Sequence, residues 1–244
     1  MLSKSIVKYI QSLSHKKFRD EYGVFIAEGP KVVHELLASN KFKCKIICVL
    51  NNGLSENELK ENSAEEIFEI NEFELEKISL LQTPNKMLAV FYKKVDALAD
   101  LKNNVSLMLD DIRDPGNMGT IIRTADWFGI KNIICSDECV EQYNPKVVQA
   151  SMGSIARVNI LYTELEEFIN KNNAVSIYAA ALQGTSIFSM HKIKEGIILI
   201  GNESKGIKEN LSALATKQIT IPKYGEAESL NAAVACGIIL SHLL

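Results

Sequence analysis

Short apolar runs rich in β-branched residues alternate along this chain with stretches whose apolar positions recur at helical spacing. In the first third, 24-VFIAEG, 45-KIICVL, 67-IFEI and 87-MLAVFYK have the length and composition of buried strands. Residues 3–19 read as one basic helix with Ile6, Val7, Ile10 and Leu13 on one side. Gly29-Pro30 leads into a helix over Lys31 to Leu37. Two acidic helix-like stretches, around Asn57 to Ala64 and over 71-NEFELEKIS, complete an α/β module of residues 1–94. A polar connection over 95–104 separates it from a second domain, 105–244.

The second domain opens with the strand 105-VSLMLDDI. Pro115-Gly116 and Gly119 predict a tight loop, followed by a helix over Thr120 to Phe128 that Gly129 stops. Strands follow at 132-NIICS, 175-VSIYAAAL, Ile197 to Ile200 and Ile219 to Ile221. Helices are expected over Tyr143 to Met152 and over Leu230 to Leu244, the second entered at Ser229. Strands alternating with helices predict an α/β fold with a mostly parallel sheet covered on both faces.

Candidate chemistry gathers at strand-to-loop junctions. Gly201 and Gly206 bracket Asn202, Glu203, Ser204 and Lys205, so this loop can bring its backbone close to a ligand. A second junction, after Ile221, carries Pro222, Gly225 and a Ser-Leu-Asn turn. Near the start of the domain, Asn117 lies in the Gly loop and Arg123 about one turn into the next helix. A buried strand, a Gly loop and a helix N-terminus together form a place to hold an anion or a ribose. The spacing is not GxGxxG, which counts against a dinucleotide fold and so against a nicotinamide oxidoreductase.

Composition narrows the class. A mean hydropathy of +0.03 with 47% apolar residues describes a globular protein, and no apolar stretch approaches the length of a bilayer span. The segment 1-MLSKSIVKYIQSLSHKK lacks a secretory apolar core, so a cytoplasmic protein is expected. The five cysteines lack CxxC spacing, which predicts reduced, packed thiols and no metal site. Charge is unevenly spread: residues 1–50 carry nine Lys or Arg against four Asp or Glu, whereas 51–100 carry five against eleven. That asymmetry suggests one face suited to a polyanion, with Lys16, Lys17 and Arg19 as candidate contacts among Tyr9 and Phe18.

Three ordered stretches carry a resemblance. Asn-x-Gly-x-x-x-Arg-Thr-Ala runs from Asn117 to Ala125, Ile-Gly-x-Glu-x-x-Gly from Ile200 to Gly206, and Ile-Pro-x-x-Gly-x-x-x-Ser-Leu-Asn from Ile221 to Asn231. Together they resemble the motifs of the SpoU/TrmH family, SPOUT-class RNA ribose 2′-O-methyltransferases that use S-adenosylmethionine. Residues 1–94 are similar to the family's L30e-like substrate-binding domain through 25-FIAEGPKVVHELL, with Lys31 where an arginine is usual. The resemblance implies a deep trefoil knot in the C-terminal domain, a homodimer formed through that domain, and RNA as substrate, ribosomal RNA before tRNA. By motif position, Gly201, Ile221 and Leu230 would line the cofactor pocket. Arg123 matches the family's essential arginine; a guanidinium is a poor free base, so its expected role is to clamp phosphate and stabilise a developing alkoxide, with base action left open, and Glu203 could orient it as a bidentate partner. Asn117, Ser229 and Asn231 would hydrogen-bond the ribose and the loops, and Lys31 would join the RNA contacts. A non-catalytic RNA-binding protein that keeps the pocket is the alternative.

Overall fold

A computed structural model describes residues 2–50 and 64–244. Most of the acidic stretch expected around 57–64 lies outside the described residues. The chain divides into two compact units, Met1–Val95 with Tyr143–Ala156, and Asp96–Gln142 with Arg157–Leu244.

In the first unit, helices α1 (Lys4–Ser12) and α2 (Lys16–Tyr22) precede β1 (Val24–Glu28), α3 (Pro30–Ala38), β2 (Cys44–Leu50), β3 (Glu66–Ile70), α4 (Glu72–Ile78) and β4 (Met87–Tyr92). The sheet order is β1-β4-β2-β3, with β4 antiparallel to both neighbours and β2 parallel to β3. Both faces are covered, which is why β1, β2 and β4 are mostly apolar, whereas β3 at the sheet edge exposes Glu66 and Glu69. Alternate residues feed two cores: Phe25, Ala27, Ile47 and Ala89 on one side, Val24, Ile26, Cys48 and Val90 on the other. Asn71 caps α4 in a reciprocal capping box with Glu74, a pattern legible as N-x-x-E.

The helix expected over 3–19 is two helices, because the chain turns at Leu13-Ser14-His15. Arg19 explains the turn. It is 2% exposed and donates through Nη1 to the carbonyls of Leu13 (2.7 Å) and Ser14 (2.8 Å). Those are carbonyls that the end of α1 leaves unpaired. Arg19 is therefore a buried capping residue, which corrects its assignment as an RNA contact. Arg19→Ala should lower the unfolding free energy by about 2–4 kcal/mol, since charged hydrogen bonds are lost and buried carbonyls are left bare. A thermal melt checks this, with the exposed Lys17→Ala expected to melt like the parent.

Segment 143–156 packs into this first unit. Helix α6 (Pro145–Ser151) contributes Val148 to the Phe25 core, and the Tyr143 ring packs at a tilt against Phe25 with centroids 4.7 Å apart. Tyr143 Oη also donates to the Lys94 carbonyl at 2.6 Å.

The second unit is a six-stranded parallel sheet of order β10-β8-β9-β5-β6-β7. Its strands are β5 (Val105–Leu109), β6 (Asn132–Cys135), β7 (Asn159–Tyr162), β8 (Ile177–Ser186), β9 (Gly196–Ile200) and β10 (Lys217–Thr220). Helices α5 (Pro115–Trp127), α7 (Leu165–Lys171), α8 (Glu209–Ala213) and α9 (Ala232–Leu243) complete it. Central strands β5 and β9 are almost wholly buried, as parallel strands covered on both faces must be. The polar stretch before β5 is tied to this unit by paired bonds between Ala99 and Asn132 (2.8 and 3.0 Å). All five cysteines are buried and unpaired, and burial pushes the thiols of Cys44, Cys48 and Cys236 up to about 12. Those three are packing residues rather than nucleophiles.

Candidate active site

Helix α5 starts five residues before the expected Thr120. Asp114 caps it by accepting from Asn117 N at 2.8 Å, and Pro115 occupies the first turn, where its missing N–H costs nothing. Gly116 and Gly119 are helical, with Met118, Ile121, Ile122 and Ala125 buried beside them. Asn117 therefore projects from the first helical turn rather than from a loop.

Three segments far apart in sequence meet at that turn. Asn117 Nδ2 donates to Glu203 Oε1 at 2.5 Å, and Asn117 Oδ1 accepts from Asn231 Nδ2 at 2.8 Å. Asn231 Oδ1 in turn accepts from Ala233 N (3.0 Å) and Val234 N (3.2 Å), capping α9. The direction of this relay is fixed by chemistry. An ionised carboxylate only accepts, so Asn117 must present its amide nitrogen to Glu203, leaving its oxygen for Asn231. The expected N-cap, Ser229, is displaced by Asn231, and the helix begins at Ala232.

The loop after β9 is closed on itself. Asn202 N donates to Gly206 O (3.1 Å) and Gly206 N to Asn202 O (2.9 Å). Asn202 Oδ1 accepts from Ser204 N and Lys205 N, while its Nδ2 donates to the Asp111 carbonyl at 2.8 Å. Gly201 is required here by contact: a Cβ on it would sit 2.4 Å from Gly206 C and from Ile207 N. Glu203 is thus carried on a rigid loop at the C-terminal end of a central strand, a placement typical of ligand sites in parallel sheets.

Arg123 lies six residues beyond Asn117, about 120° around the helix from it, given 3.6 residues per turn. It is exposed, and its expected pairing with Glu203 is not formed, because that carboxylate is engaged by Asn117 instead. Ser229 and Leu230 lie in the exposed loop before α9, and Ile221 is half-buried at its start. Ser229 makes no side-chain hydrogen bond among the described residues. In the first unit, Lys17 and Lys31 are exposed, and Lys16 is exposed but paired with Asp20 at 2.7 Å.

Two features were not foreseen. Lys208 reaches the fully buried Asp110 (3.5 Å) and Glu138 (3.0 Å) beside the strand ends, and its hydrogen bond to Glu138, with the Asp110 charge beside it, holds the ammonium above the usual lysine range. A polar cavity of about 100 Å³ opens there between Ser136, Glu138, Thr163, Glu164 and Lys208, and none of the predicted site residues lines it. The Asp114 cap, by contrast, was readable as Asp-Pro before an apolar stripe. Among the described residues, no group of three or more His, Cys, Asp or Glu is placed to hold a metal, and no helix is long and apolar enough to cross a membrane.

The profile of the SpoU rRNA Methylase family matches residues 104–241, a span containing the whole relay. The chain belongs to the SpoU rRNA methylase family. Residues 4–89 match a second profile, the MRM3-like substrate binding domain. Among SpoU relatives, the chain is 29% identical over 240 residues to a 23S rRNA (guanosine(2553)-2′-O)-methyltransferase of Bacillus subtilis, covering 97% of this chain and 95% of that one. The AdoMet-bound rRNA methyltransferase of Sinorhizobium meliloti superposes with a TM-score of 0.89 at 32% identity, covering 100% of this chain and 95% of that one. The SpoU methyltransferase AviRb of Streptomyces viridochromogenes, solved with AdoMet, shares the fold at 22% identity and a TM-score of 0.87, over 99% and 97% of the two chains.

Proposed function

We propose that this SpoU family member transfers a methyl group from S-adenosylmethionine to a ribose 2′-hydroxyl, with ribosomal RNA as substrate. The observation that carries the reading is the relay Glu203–Asn117–Asn231, which joins the three motif segments at the C-terminal edge of a parallel sheet. The names of the relatives favour ribosomal RNA over tRNA. The reading includes a cytoplasmic homodimer, which the unpaired thiols and the 84% exposed Trp127 on α5 suit. It also includes the family's trefoil knot, which suits a sheet where β9 lies between β8 and β5.

The residues present fit the cofactor. Between β10 and α9, the loop 222–230 offers exposed apolar side chains, and none of its peptide groups is hydrogen-bonded among the described residues. Such a loop can flank a purine with Leu230 and Ile221 and meet its edge with backbone groups, while Gly201 keeps the opposing loop close. S-adenosylmethionine supplies an electrophilic methyl on a sulfonium. The protein must then align the 2′-oxygen and help remove its proton. Arg123, exposed and free to meet RNA, is suited to clamp a phosphate and stabilise the developing alkoxide, since a guanidinium stays protonated. In this reading the relay does not hold Arg123. It holds the two loops and α5 in fixed register, so that Glu203 and Asn231 frame the ribose.

Leu230→Arg tests the pocket cleanly. Leu230 is 46% exposed, so a charge there spares the core. Calorimetric affinity for S-adenosylmethionine should fall by about tenfold or more because an unpaired charge meets the purine face, while the melting temperature holds. Equal affinity in the variant would remove Leu230 from the pocket. Transfer of a labelled methyl from S-adenosylmethionine to RNA separates the enzyme from a binding protein that merely keeps the site.

A further inference from the structure

The first unit carries a ladder of rings and ammonium groups. Tyr9 of α1 packs against Tyr22 of α2 at 5.2 Å, and Tyr22 stacks on Phe18 at 6.2 Å with an interplanar angle of 16°. Lys45 Nζ lies 4.9 Å over the Tyr9 ring and 5.8 Å over that of Tyr92. Lys43 Nζ also sits 5.6 Å from the Tyr92 ring centroid, and Lys17 Nζ 5.9 Å from that of Phe18. Three of the chain's seven tyrosines are in this ladder, so the rings are gathered rather than scattered.

The backbone is arranged to present it. Lys45 falls where the β2–β4 register slips, between Cys44↔Phe91 and Ile46↔Val90. A bulge of this kind re-aims a side chain, here bringing Lys45 between two tyrosines. Its ammonium also donates to Tyr9 Oη at 3.2 Å. Tyr9, Phe18 and Tyr92 rest on the second core of the unit and are thereby fixed, whereas Tyr22 is 41% exposed. Two acids lie close by, Glu65 bound to Lys43 and Tyr92, and Asp20 bound to Lys16 and Lys93. Lys17 and Lys45 form no ion pair among the described residues.

We propose that this ladder is a stacking face for unpaired bases of the RNA substrate, with Lys17 and Lys45 meeting the adjacent phosphates. The inference rests on the proposed RNA methyltransferase function and adds the place and manner of substrate recognition. Rings pre-set by a core lose little freedom on binding, and every base has a face to stack, so such a surface takes single strands and loops rather than duplex. Lysines poised on ring faces place positive charge beside the rings, where the phosphates of stacked bases would run. The ladder also gives a function to the basic balance of residues 1–50 that buried Arg19 does not serve.

Binding of the full chain to a labelled oligouridylate of about twelve nucleotides, and to a hairpin duplex of similar length, tests this by fluorescence anisotropy. Tyr22→Ala should weaken single-strand binding about tenfold and duplex binding by no more than about twofold, with Tyr22→Phe close to the parent. Lys45→Gln should reduce the single-strand salt slope by about 0.7. Single-strand affinity of Tyr22→Ala equal to the parent, or an equal loss on both ligands, overturns the stacking face. Calorimetry with S-adenosylmethionine and methyl transfer to RNA by the parent chain keep the two readings apart. If the parent transfers methyl but Tyr22→Ala binds single strands unimpaired, only the ladder assignment falls. If the parent binds no RNA and transfers no methyl, the function and the ladder fall together.

Discussion

Arg123→Ala is expected to slow methyl transfer to RNA about a hundredfold or more while leaving S-adenosylmethionine affinity within about twofold, because one preorganised charge contact at a developing oxyanion contributes about 3 kcal/mol. The structure makes this a cleaner test than the motif alone would. Arg123 is exposed on α5 and its guanidinium is not tied to Glu203, so removing it disturbs neither the relay nor the core. The melting temperature should therefore be unchanged. Arg123→Lys separates charge from shape: lysine keeps the charge but loses the planar fork that grips phosphate in two places. If the fork matters, the lysine variant falls nearer to alanine than to the parent in single-turnover assays. A normal single-turnover rate in Arg123→Ala would end the role assigned to it.

The strands were the most legible part of the fold. Runs such as 45-KIICVL and 87-MLAVFYK are apolar on both alternating faces because each face meets its own core, and that shows in composition alone. Helix starts were harder. The pair Gly116 and Gly119 looked like a loop because each glycine costs about 1 kcal/mol in a helix, yet buried contacts on either side outweigh that cost. The Asp114 cap and Pro115 were the better signal. What no local pattern could show was long-range. Segment 143–156 joins the core of the first unit, and Arg19 turns inward to two carbonyls instead of outward to a polyanion. A charged residue in an amphipathic stretch announces its charge, not its burial.

The site was legible as a set of residues and not as a set of bonds. Asn117, Glu203 and Asn231 were all singled out, and the structure brings them together. The partner expected for Glu203 was the wrong one. Pairing Glu203 with Arg123 follows from charge, but helical geometry turns Arg123 away from Asn117's side, and the amide claims the carboxylate. Ser229 was read as the cap of α9 because serine caps well; Asn231, two residues later, caps equally well and lies within reach of Asn117.

Gly201→Ala should be the most damaging single methyl group in the second unit, lowering stability by about 3 kcal/mol, with S-adenosylmethionine binding lost along with the loop. The cause is contact, not conformation. An added Cβ would meet Gly206 C and Ile207 N at 2.4 Å and Gly206 O at 2.5 Å, and these are backbone atoms that cannot swing aside. They are also held from behind, by the paired Asn202–Gly206 bonds and by Asn202 Nδ2 on the Asp111 carbonyl. Making room means opening that loop, which moves Glu203 off Asn117 and uncouples the relay. Gly206→Ala is the control. Gly206 has φ of +71° and open space where a Cβ would go, so alanine there costs only the left-handed backbone strain, about 1–2 kcal/mol. Thermal melts and calorimetric titration of both variants distinguish the two effects. Gly201→Ala should lose cofactor binding even below its lowered melting point, whereas Gly206→Ala should melt slightly early and still bind. If both variants bind as the parent does, the loop after β9 is not part of the cofactor site, and Glu203 loses its place in the proposed reaction.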